Sequence, residues 1–221
     1  MNDIEDLLGD AAAEKIASYF DPREFAERES LGSSHYWHLY RREVLRSLIE
    51  SSGTPARAIE LGCGTGNVAT HFNRHGHHVD YGDVHTEGLE AARRRLSAAL
   101  GADADRRFVR LDVTAQFPKP ADYDAVYFFD VLEHLPDDLA TLKSVRANIA
   151  SGTRLVFTVP AFQALWSPWD DLQHHKRRYT TASAKALAAG AGVEVDRATY
   201  FVFAAFFASG RVTALRQVRS R

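Results

Sequence analysis

From Arg57 onward the chain alternates between short apolar segments and segments of helical periodicity, which limits the possible folds more than any other feature. Strands are expected over Arg57–Leu61, His78–Gly82, Phe108–Asp112, Tyr123–Phe129, Arg154–Val159 and Val193–Tyr200. Helices are expected between most of them, over Glu87–Leu100, Asp138–Ile149 and Thr181–Ala189. Alternating strands and helices form a parallel sheet with helices on both faces. The sequence therefore predicts an α/β fold with a doubly wound, mostly parallel sheet.

Residues 1–56 precede this alternation and predict an N-terminal helical extension, or cap, in front of a core over residues 57–221. Ala11–Phe20 is one expected helix. Tyr36–Glu50 is a stronger candidate, because its apolar residues recur at helical spacing.

The C-terminal segment departs from the pattern of such sheets, which usually close with an antiparallel hairpin. Arg211–Arg216 reads as helical rather than extended, so the final strand is expected to be absent or the fold shortened. A sheet without that strand has an open edge or recruits a partner. The apolar stretch Tyr200–Ala208 is then a candidate interface for a homodimer.

Composition and charge exclude several classes of protein. The chain has 27 Lys and Arg residues and 29 Asp and Glu residues, so it lacks the excess of basic residues that is typical of nucleic-acid-binding proteins. Cys63 is the single cysteine, which excludes an internal disulfide and fits a reducing cytoplasm. The acidic N-terminus lacks the features of a signal peptide, and Tyr200–Ala208 is shorter than the ~20 residues of a membrane helix. A cytoplasmic protein without a membrane span is expected.

A glycine-rich loop follows the first expected strand directly. Gly62, Gly64 and Gly66 fall within five residues, where the backbone can turn tightly and a ligand can approach it closely. Nicotinamide-dependent oxidoreductases also use such a loop, but their pattern needs Gly or Ala where Asn67 stands here. Glu60, just before the loop, suits a ligand with an ammonium group better than one with a pyrophosphate.

Acidic residues recur at the carboxyl ends of the expected strands, where ligands bind in open α/β sheets. Asp83 is placed to accept both hydroxyls of a ribose, or alternatively to cap the helix that follows. Asp112 is placed to accept from an adenine amino group, with Val113 beside the ring. Asp130 opens the segment Asp130–Leu135, which follows a fully apolar strand. Each acid alone could be a helix cap, but their repetition beside one glycine loop favours a nucleoside-containing ligand.

Over roughly residues 57–200 the chain resembles the class I S-adenosylmethionine-dependent methyltransferases. The residues that carry the resemblance are Glu60, Gly62, Gly64, Gly66, Asp83, Asp112, the segment Asp130–Leu135 and Gly152. The resemblance extends to a bacterial subgroup with an aromatic and arginine-rich helix, here His35–Arg42, and segments like Val159–Asp170 and His175–Tyr179. It implies a Rossmann-like fold, S-adenosyl-L-methionine as cofactor and a small-molecule acceptor. It also implies a set of cofactor-binding residues: Glu60, Gly62, Cys63, Gly64, Gly66, Asp83, Val84, Asp112, Val113, Asp130 and Val131.

The reaction that this resemblance implies is an in-line transfer of a methyl group to an O or N nucleophile. An oxygen acceptor usually needs a base to remove its proton, and His134 is the candidate, with a structural role in its loop as the alternative. Two further classes stay open: a protein that binds the cofactor but is inactive and regulatory, and, less favoured, a nicotinamide-dependent oxidoreductase.

Two segments are candidates for binding the acceptor. The polar segment Asp170–Tyr179 should overhang the crevice, where its arginines could bind an anion; the alternative is a solvated basic turn with a packed tyrosine. The helix that begins at Tyr36 carries aromatic residues that either cover the sulfonium or belong to the core. An anionic or aromatic acceptor is expected, and the candidate acceptor residues are Tyr36, Trp37, Arg41, Trp166, His175, Arg178 and Tyr179.

Histidines at helical spacing also raise the question of a metal. His71 and His75 are four residues apart, a spacing that can bind zinc when a third ligand is near. No acid or cysteine motif in the sequence completes the pair, and this face of the helix is expected to meet water. No metal site is expected.

Overall fold

The computed structural model describes residues 3–8, 36–101, 104–114, 123–201 and 213–220, the last of these by their backbone. The chain divides into two compact units, Met1–Asp124 and Ala125–Arg221. The helix expected over Ala11–Phe20 and most of the apolar stretch proposed as a homodimer interface lie outside the described residues. No helix within the described ranges has the length and apolar character needed to cross a membrane.

The first unit is a parallel sheet with helices between its strands. Its elements are β1 (Ile4–Asp6), α1 (Tyr36–Glu50), β2 (Ala58–Leu61), α2 (Asn67–Arg74), β3 (Val79–Asp83), α3 (Thr86–Leu100) and β4 (Phe108–Arg110). The strands follow the order β1-β4-β3-β2, and each neighbouring pair is parallel. Every residue of β2 and β3 is buried, as expected for strands covered on both faces.

Strand β1 was not expected, and the prediction that residues 1–56 are helical is wrong there. Its three residues pair in parallel with β4. Two ion pairs fix this short acidic strand, from Arg107 to Glu5 at 2.7 Å and from Arg110 to Asp6 at 3.0 Å. The sequence signal is weak because the strand is short and its stabilising partners lie far away in the chain.

Helix α1 has the predicted bounds and packs with the first unit. Its buried face consists of Arg41, Leu45 and Ile49, one helical turn apart. Its polar side reaches the region of α2, where Arg42 Nη1 donates to Asn67 Oδ1 at 3.2 Å.

The second unit also combines strands and helices, and it contains the antiparallel closure of the sheet. Its elements are β5 (Ala125–Phe129), α4 (Asp138–Ala147), β6 (Arg154–Pro160), a 3-10 turn (Gln163–Leu165), α5 (Pro168–Leu172), α6 (Thr181–Gly190), β7 (Val193–Phe201) and β8 (Thr213–Ser220). Within this unit the order is β5-β6-β8-β7. Strands β5 and β6 are parallel, and β8 is antiparallel to both β6 and β7.

The expectation that the final strand is absent is therefore wrong. Strand β8 lies between β6 and β7 and pairs with both along its length. Residues such as Arg216 and Gln217 favour helix in isolation, but two neighbouring strands offer this segment hydrogen bonds on both sides. Pairing with distant segments overrides local preference here.

Candidate active site

The glycine loop joins β2 to α2, and its three glycines all have a left-handed φ, 74° at Gly62, 52° at Gly64 and 70° at Gly66. L-residues rarely adopt this region. A Cβ at Gly66 would lie 2.7 Å from Cβ of Ala92, so this glycine lets the start of α2 pack against α3. A Cβ at Gly64 would meet nothing within 4 Å. The backbone at Gly64 therefore borders open space that a ligand can enter.

Asp83 ends β3 and holds the glycine loop against it. Its Oδ2 accepts from the backbone N–H of Gly64 at 2.7 Å, and its Oδ1 accepts from the N–H of His85 at 2.9 Å. A carboxylate has about four lone-pair positions, so positions remain for ligand hydroxyls. The alternative of a cap on α3 is wrong, because His85 is the N-cap of that helix.

Glu60 is buried in β2 and faces the start of α2. Its Oε2 accepts from the backbone N–H of Ala69 at 2.7 Å, and the residue is only 3% exposed. The positive end of a helix stabilises a nearby anion, so α2 compensates the buried carboxylate. Its expected contact with a ligand ammonium group stays a prediction.

Asp112 lies just beyond β4, which ends two residues earlier than the sequence predicted. Its Oδ1 accepts from the backbone N–H and the hydroxyl of Thr114, at 2.8 and 2.7 Å. The N–H of Leu111 donates to the carbonyl of Asp83 at 2.9 Å, so Asp83 and Asp112 end neighbouring strands at the same edge. Val84 and Val113 beside them are half-buried.

The end of β5 carries Asp130, the first acid of the second unit's candidate site. Its φ of 60° is uncommon for a residue other than glycine. Such conformations persist where surrounding contacts hold them. Here Thr158 on β6 donates its hydroxyl to Asp130 Oδ1 at 2.7 Å, and its carbonyl accepts from the N–H of Asp130 at 3.1 Å. Val131 after it is half-buried.

Asp170 is a fully buried carboxylate that organises the segment after β6. Arg178 donates to both of its oxygens, each at 2.8 Å, and the backbone N–H of Ser167 donates to it at 2.9 Å. Burial alone would raise the pKa of Asp170, but hydrogen bonds from Arg178, His175 and Ser167 hold that pKa well below its usual range. The alternative of a solvated basic turn is wrong for Arg178, which is buried against this carboxylate. The packed tyrosine of that alternative is present, because Tyr179 is buried.

His175 and His134 form a pair next to this carboxylate. Nδ1 of His175 lies 2.9 Å from Oδ1 of Asp170. An ionised carboxylate only accepts, so Nδ1 carries the proton and Nε2 keeps its lone pair when the ring is neutral. The two imidazole rings meet edge to face with centroids 4.8 Å apart. Ligand atoms of Glu133, His134 and His175 also lie within 4.8 Å of one another.

Tyr179 and Trp166 are held by other carboxylates of the second unit. The hydroxyl of Tyr179 donates to Asp138 Oδ2 at 2.6 Å, and the residue is buried. Trp166 is half-buried, and its Nε1 donates to Asp171 Oδ1 at 3.0 Å. These contacts position both aromatic side chains, and their roles toward an acceptor stay predictions.

The aromatic residues of helix α1 differ in how far they are exposed to solvent. Tyr36 is 66% and Tyr40 is 53% exposed, so the alternative that they are core residues is wrong for these two. Trp37 is half-buried and Arg41 is buried. Their convergence on one acceptor pocket stays a prediction, for the set Trp37, Arg41, Trp166, Arg178 and Tyr179.

The structure changes the interpretation of the paired histidines on α2. His71 is buried, at 5% exposed, and does not face water as expected. Glu43 on α1 completes the pair, with Oε1 3.2 Å from His71 Nε2. The expectation that no acid joins His71 and His75 is wrong, because α1 brings its carboxylate from a distant part of the sequence.

Sequence reasoning also missed that Asp170 organises its segment. A signal was present: Ser167, Pro168 and Asp170 occupy the N-cap, first and third positions of α5 as in a capping box. The ion pair of Asp170 with Arg178 had no such local signal.

Comparison with known proteins identifies the family. A family model described as a methyltransferase domain matches residues 34–198. The chain belongs to this methyltransferase family. The match covers most of both units and confirms the resemblance on which the predicted cofactor, S-adenosyl-L-methionine, rests.

Curated relatives include ubiquinone biosynthesis O-methyltransferases. The protein from Xylella fastidiosa is 30% identical over 122 residues, which cover 55% of this chain and 48% of the relative. The protein from Vibrio cholerae is 31% identical over 103 residues, 46% of this chain and 41% of the relative. The chain spans about half the length of the curated relatives that it matches.

Solved structures confirm the Rossmann-like α/β fold. Magnesium protoporphyrin IX methyltransferase from Synechocystis PCC 6803, with bound SAH, has a TM-score of 0.72 at 12% identity, covering 96% of this chain and 100% of that one. The N-methyltransferase NodS from Bradyrhizobium japonicum WM9, also with SAH, has a TM-score of 0.68 at 16% identity, covering 90% and 97%.

Proposed function

We propose that this methyltransferase moves a methyl group from S-adenosyl-L-methionine to a small-molecule acceptor through an oxygen or nitrogen nucleophile. The observation that carries the proposal is the bond from Gly64 N–H to Asp83 Oδ2, at 2.7 Å. It joins a glycine backbone that borders open space to a carboxylate with free lone-pair positions. When bound, the cofactor supplies an electrophilic methyl group on its sulfonium.

The residues of the first unit fit such a cofactor by their chemistry. The hydroxyls of a ribose need a carboxylate acceptor, which Asp83 offers at the end of β3. Asp112 offers a second acceptor at the end of β4, suited to an amino group. Glu60 offers buried negative charge next to the loop, which favours a ligand ammonium group.

Removal of the acceptor's proton is assigned to the histidine pair of the second unit. His134 takes the proton as general base. The alternative within the pair is His175, which Asp170 holds with a lone pair on Nε2. The imidazole nitrogen would accept the proton of the acceptor's O–H or N–H as that nucleophile takes up the methyl group that the cofactor would supply.

An oxygen nucleophile is favoured because the curated relatives are O-methyltransferases. The exposed tyrosines of α1 support an aromatic acceptor. An anionic acceptor has less support, because Arg177 and Arg178 are already paired with Asp138 and Asp170. A screen should therefore compare catechol-type phenols and aromatic carboxylates with simple amines, using release of SAH as the readout.

Binding of SAH tests the cofactor assignment before any acceptor is known. By calorimetry we expect micromolar affinity, about −8 kcal/mol, and no binding of NAD. Asp83→Ala should weaken the binding of SAH by about 1.5–3 kcal/mol, since the substitution removes hydrogen bonds to a charged group. Circular dichroism must show a folded variant, because Asp83 also holds the glycine loop.

Other outcomes of the same binding experiment would favour one of the two alternative classes of protein. Binding of NAD without SAH would support an oxidoreductase. Binding of SAH with no turnover over the whole acceptor panel would support a regulatory protein.

A further inference from the structure

A cluster of possible metal ligands lies where α1 meets α2, outside the residues assigned to methyl transfer. His71 and His75 are one turn apart at the end of α2, with ring centroids 4.4 Å apart. Glu43 of α1 faces them, and its Oε1 lies 3.2 Å from Nε2 of His71. One ligand atom from each of the three residues lies within 4.8 Å of the other two.

The donor atoms of both histidines are suited to a metal. Nδ1 of His75 lies 2.8 Å from the backbone carbonyl of His71. A carbonyl only accepts, so this nitrogen carries the proton, and Nε2 of His75 keeps its lone pair when the ring is neutral. Metal-binding histidines are commonly oriented by such a bond to a carbonyl.

His71 presents a buried nitrogen to the same place. Its Nε2 is inaccessible to solvent and, although 3.2 Å from Oε1 of Glu43, is not aligned with that oxygen as a hydrogen bond. Metals bind the neutral imidazole, and an unbonded buried nitrogen is unusual without a ligand.

The spacing of these atoms matches a small tetrahedral ion. Zinc binds histidine nitrogen at about 2.0–2.1 Å and carboxylate oxygen at about 2.0–2.2 Å, so two ligand atoms of its tetrahedron lie about 3.4 Å apart. The 3.2 Å between His71 and Glu43 is close to that edge. Two imidazoles with one carboxylate suit Zn²⁺, Co²⁺ or Ni²⁺, whereas Mg²⁺ and Ca²⁺ prefer oxygen ligands.

We propose that Glu43, His71 and His75 form a binding site for a divalent transition-metal ion of the zinc type. Three protein ligands leave a fourth position for water. The ion would join α1 to α2, because Glu43 comes from the first helix and both histidines from the second.

Neighbouring charges set the expected strength of this site. Arg46 bonds Oε2 of Glu43 at 2.9 Å, which orients the carboxylate and leaves Oε1 toward the histidines. Arg46 also bonds Glu50 at 2.8 Å, so its charge is shared between two acids. Arg42 is near enough to affect His71 and repels a cation. We therefore expect micromolar rather than nanomolar affinity for zinc.

The site is separate from the glycine loop along α2. His75 follows Gly66 by nine positions, which at 1.5 Å per residue is about 13 Å along a helix. Loss of the metal should therefore leave the affinity for SAH unchanged, so a failure of this proposal and a failure of the proposed methyl transfer give different results.

The test is a titration of the untagged chain of 221 residues after treatment with a chelator. We expect calorimetry to show about one Zn²⁺ per chain, and Co²⁺ to give the visible absorption bands of a tetrahedral nitrogen and oxygen site. Zn²⁺ should also raise the melting temperature. His75→Ala and Glu43→Gln should each lower the affinity for zinc by at least about 10-fold, while SAH binding and the circular dichroism spectrum stay normal.

Two further variants serve as controls. His78→Ala removes a histidine of the same unit that is not part of the cluster and should leave zinc affinity unchanged. His175→Ala tests the cluster of Glu133, His134 and His175, the other group of potential ligands among the described residues. The proposal is overturned if zinc does not bind, if it binds equally well to His75→Ala and Glu43→Gln, or if only His175→Ala weakens it.

Discussion

At the scale of single residues, the two last glycines of the loop share a left-handed backbone but have different surroundings. Gly66 packs against Ala92 and Tyr81, with 2.7 and 2.9 Å from a hypothetical Cβ, whereas Gly64 faces open space. A side chain at Gly66 must move the contact between α2, α3 and β3. A side chain at Gly64 has no protein atoms to displace. It costs the free energy of a left-handed backbone, about 1–2 kcal/mol, and it would collide with a ligand that enters the space.

This difference predicts opposite defects for two substitutions. Gly64→Val should fold, as judged by circular dichroism, and lose SAH binding in calorimetry because its side chain projects into the ligand's space. Gly66→Ala, the matched control, should lower the melting temperature more than Gly64→Val does. Normal SAH binding by Gly64→Val would mean that the cofactor does not pass this glycine.

The two histidines of the proposed base differ in how they are held, which allows their roles to be separated. Once an acceptor is identified, His134→Ala should reduce kcat by about 10²–10⁴-fold if His134 is the base, with little change in SAH affinity. A comparable loss in His175→Ala, with activity retained in His134→Ala, would assign the base to His175 instead. Recovery of either variant at alkaline pH would support proton removal, because a structural defect does not depend on hydroxide.

At the scale of elements, the segment between β6 and α6 depends on one buried ion pair. Asp170 accepts hydrogen bonds from Nε and Nη2 of Arg178, and it also contacts His175 and Ser167. Removing one partner of a buried pair leaves the other uncompensated, which costs about 3–5 kcal/mol. Asp170→Asn should therefore lower the free energy of unfolding by about this amount in urea titrations.

A nearby acid provides the matched control for this substitution. Asp171→Asn, one residue later in α5, changes an exposed carboxylate bonded to Trp166 and should alter the unfolding free energy by less than about 1 kcal/mol. Equal effects of the two substitutions would contradict the central role of Asp170.

The elements also show which parts of the fold the sequence can predict. Helices α1 and α3 and strands β5 and β6 lie within a few residues of their predicted bounds, because their periodic apolar pattern reflects burial along one face or on both sides. Strands β1 and β8 were not predicted. Both depend on pairing with distant strands, β1 with β4 and β8 with β6 and β7, which no local pattern encodes.

The same limit applies to the candidate sites. The glycines and Asp83 were predictable, because their chemistry is concentrated next to one strand end. The contact of Glu43 with His71 was not, since it depends on how α1 packs beside α2.

At the scale of the whole molecule, acid should reduce stability in more than one stage. The pKa of His71 is lowered by burial from 6.5 to about 4 in the folded chain, so between these values the unfolded chain binds more protons. Stability from His71 is therefore complete above about pH 6.5 and is lost as the pH falls toward about 4. Burial lowers the pKa of His78 in the same direction. Asp170, whose pKa is also lowered, loses its stabilising effect only at more acidic pH.

We therefore expect the free energy of unfolding to decline already between about pH 6.5 and 4.5, above the range in which ordinary carboxylates titrate. Urea titrations at several pH values, with a chelator present to exclude metal binding, measure this slope. His71→Gln should flatten it, because the side chain no longer takes up a proton on unfolding, although His78 leaves a residual slope. His174→Gln, on an exposed histidine, should leave it as in the parent protein. A parent profile that is flat down to pH 4.5, or a slope unchanged in His71→Gln, would show that His71 is not held neutral by burial.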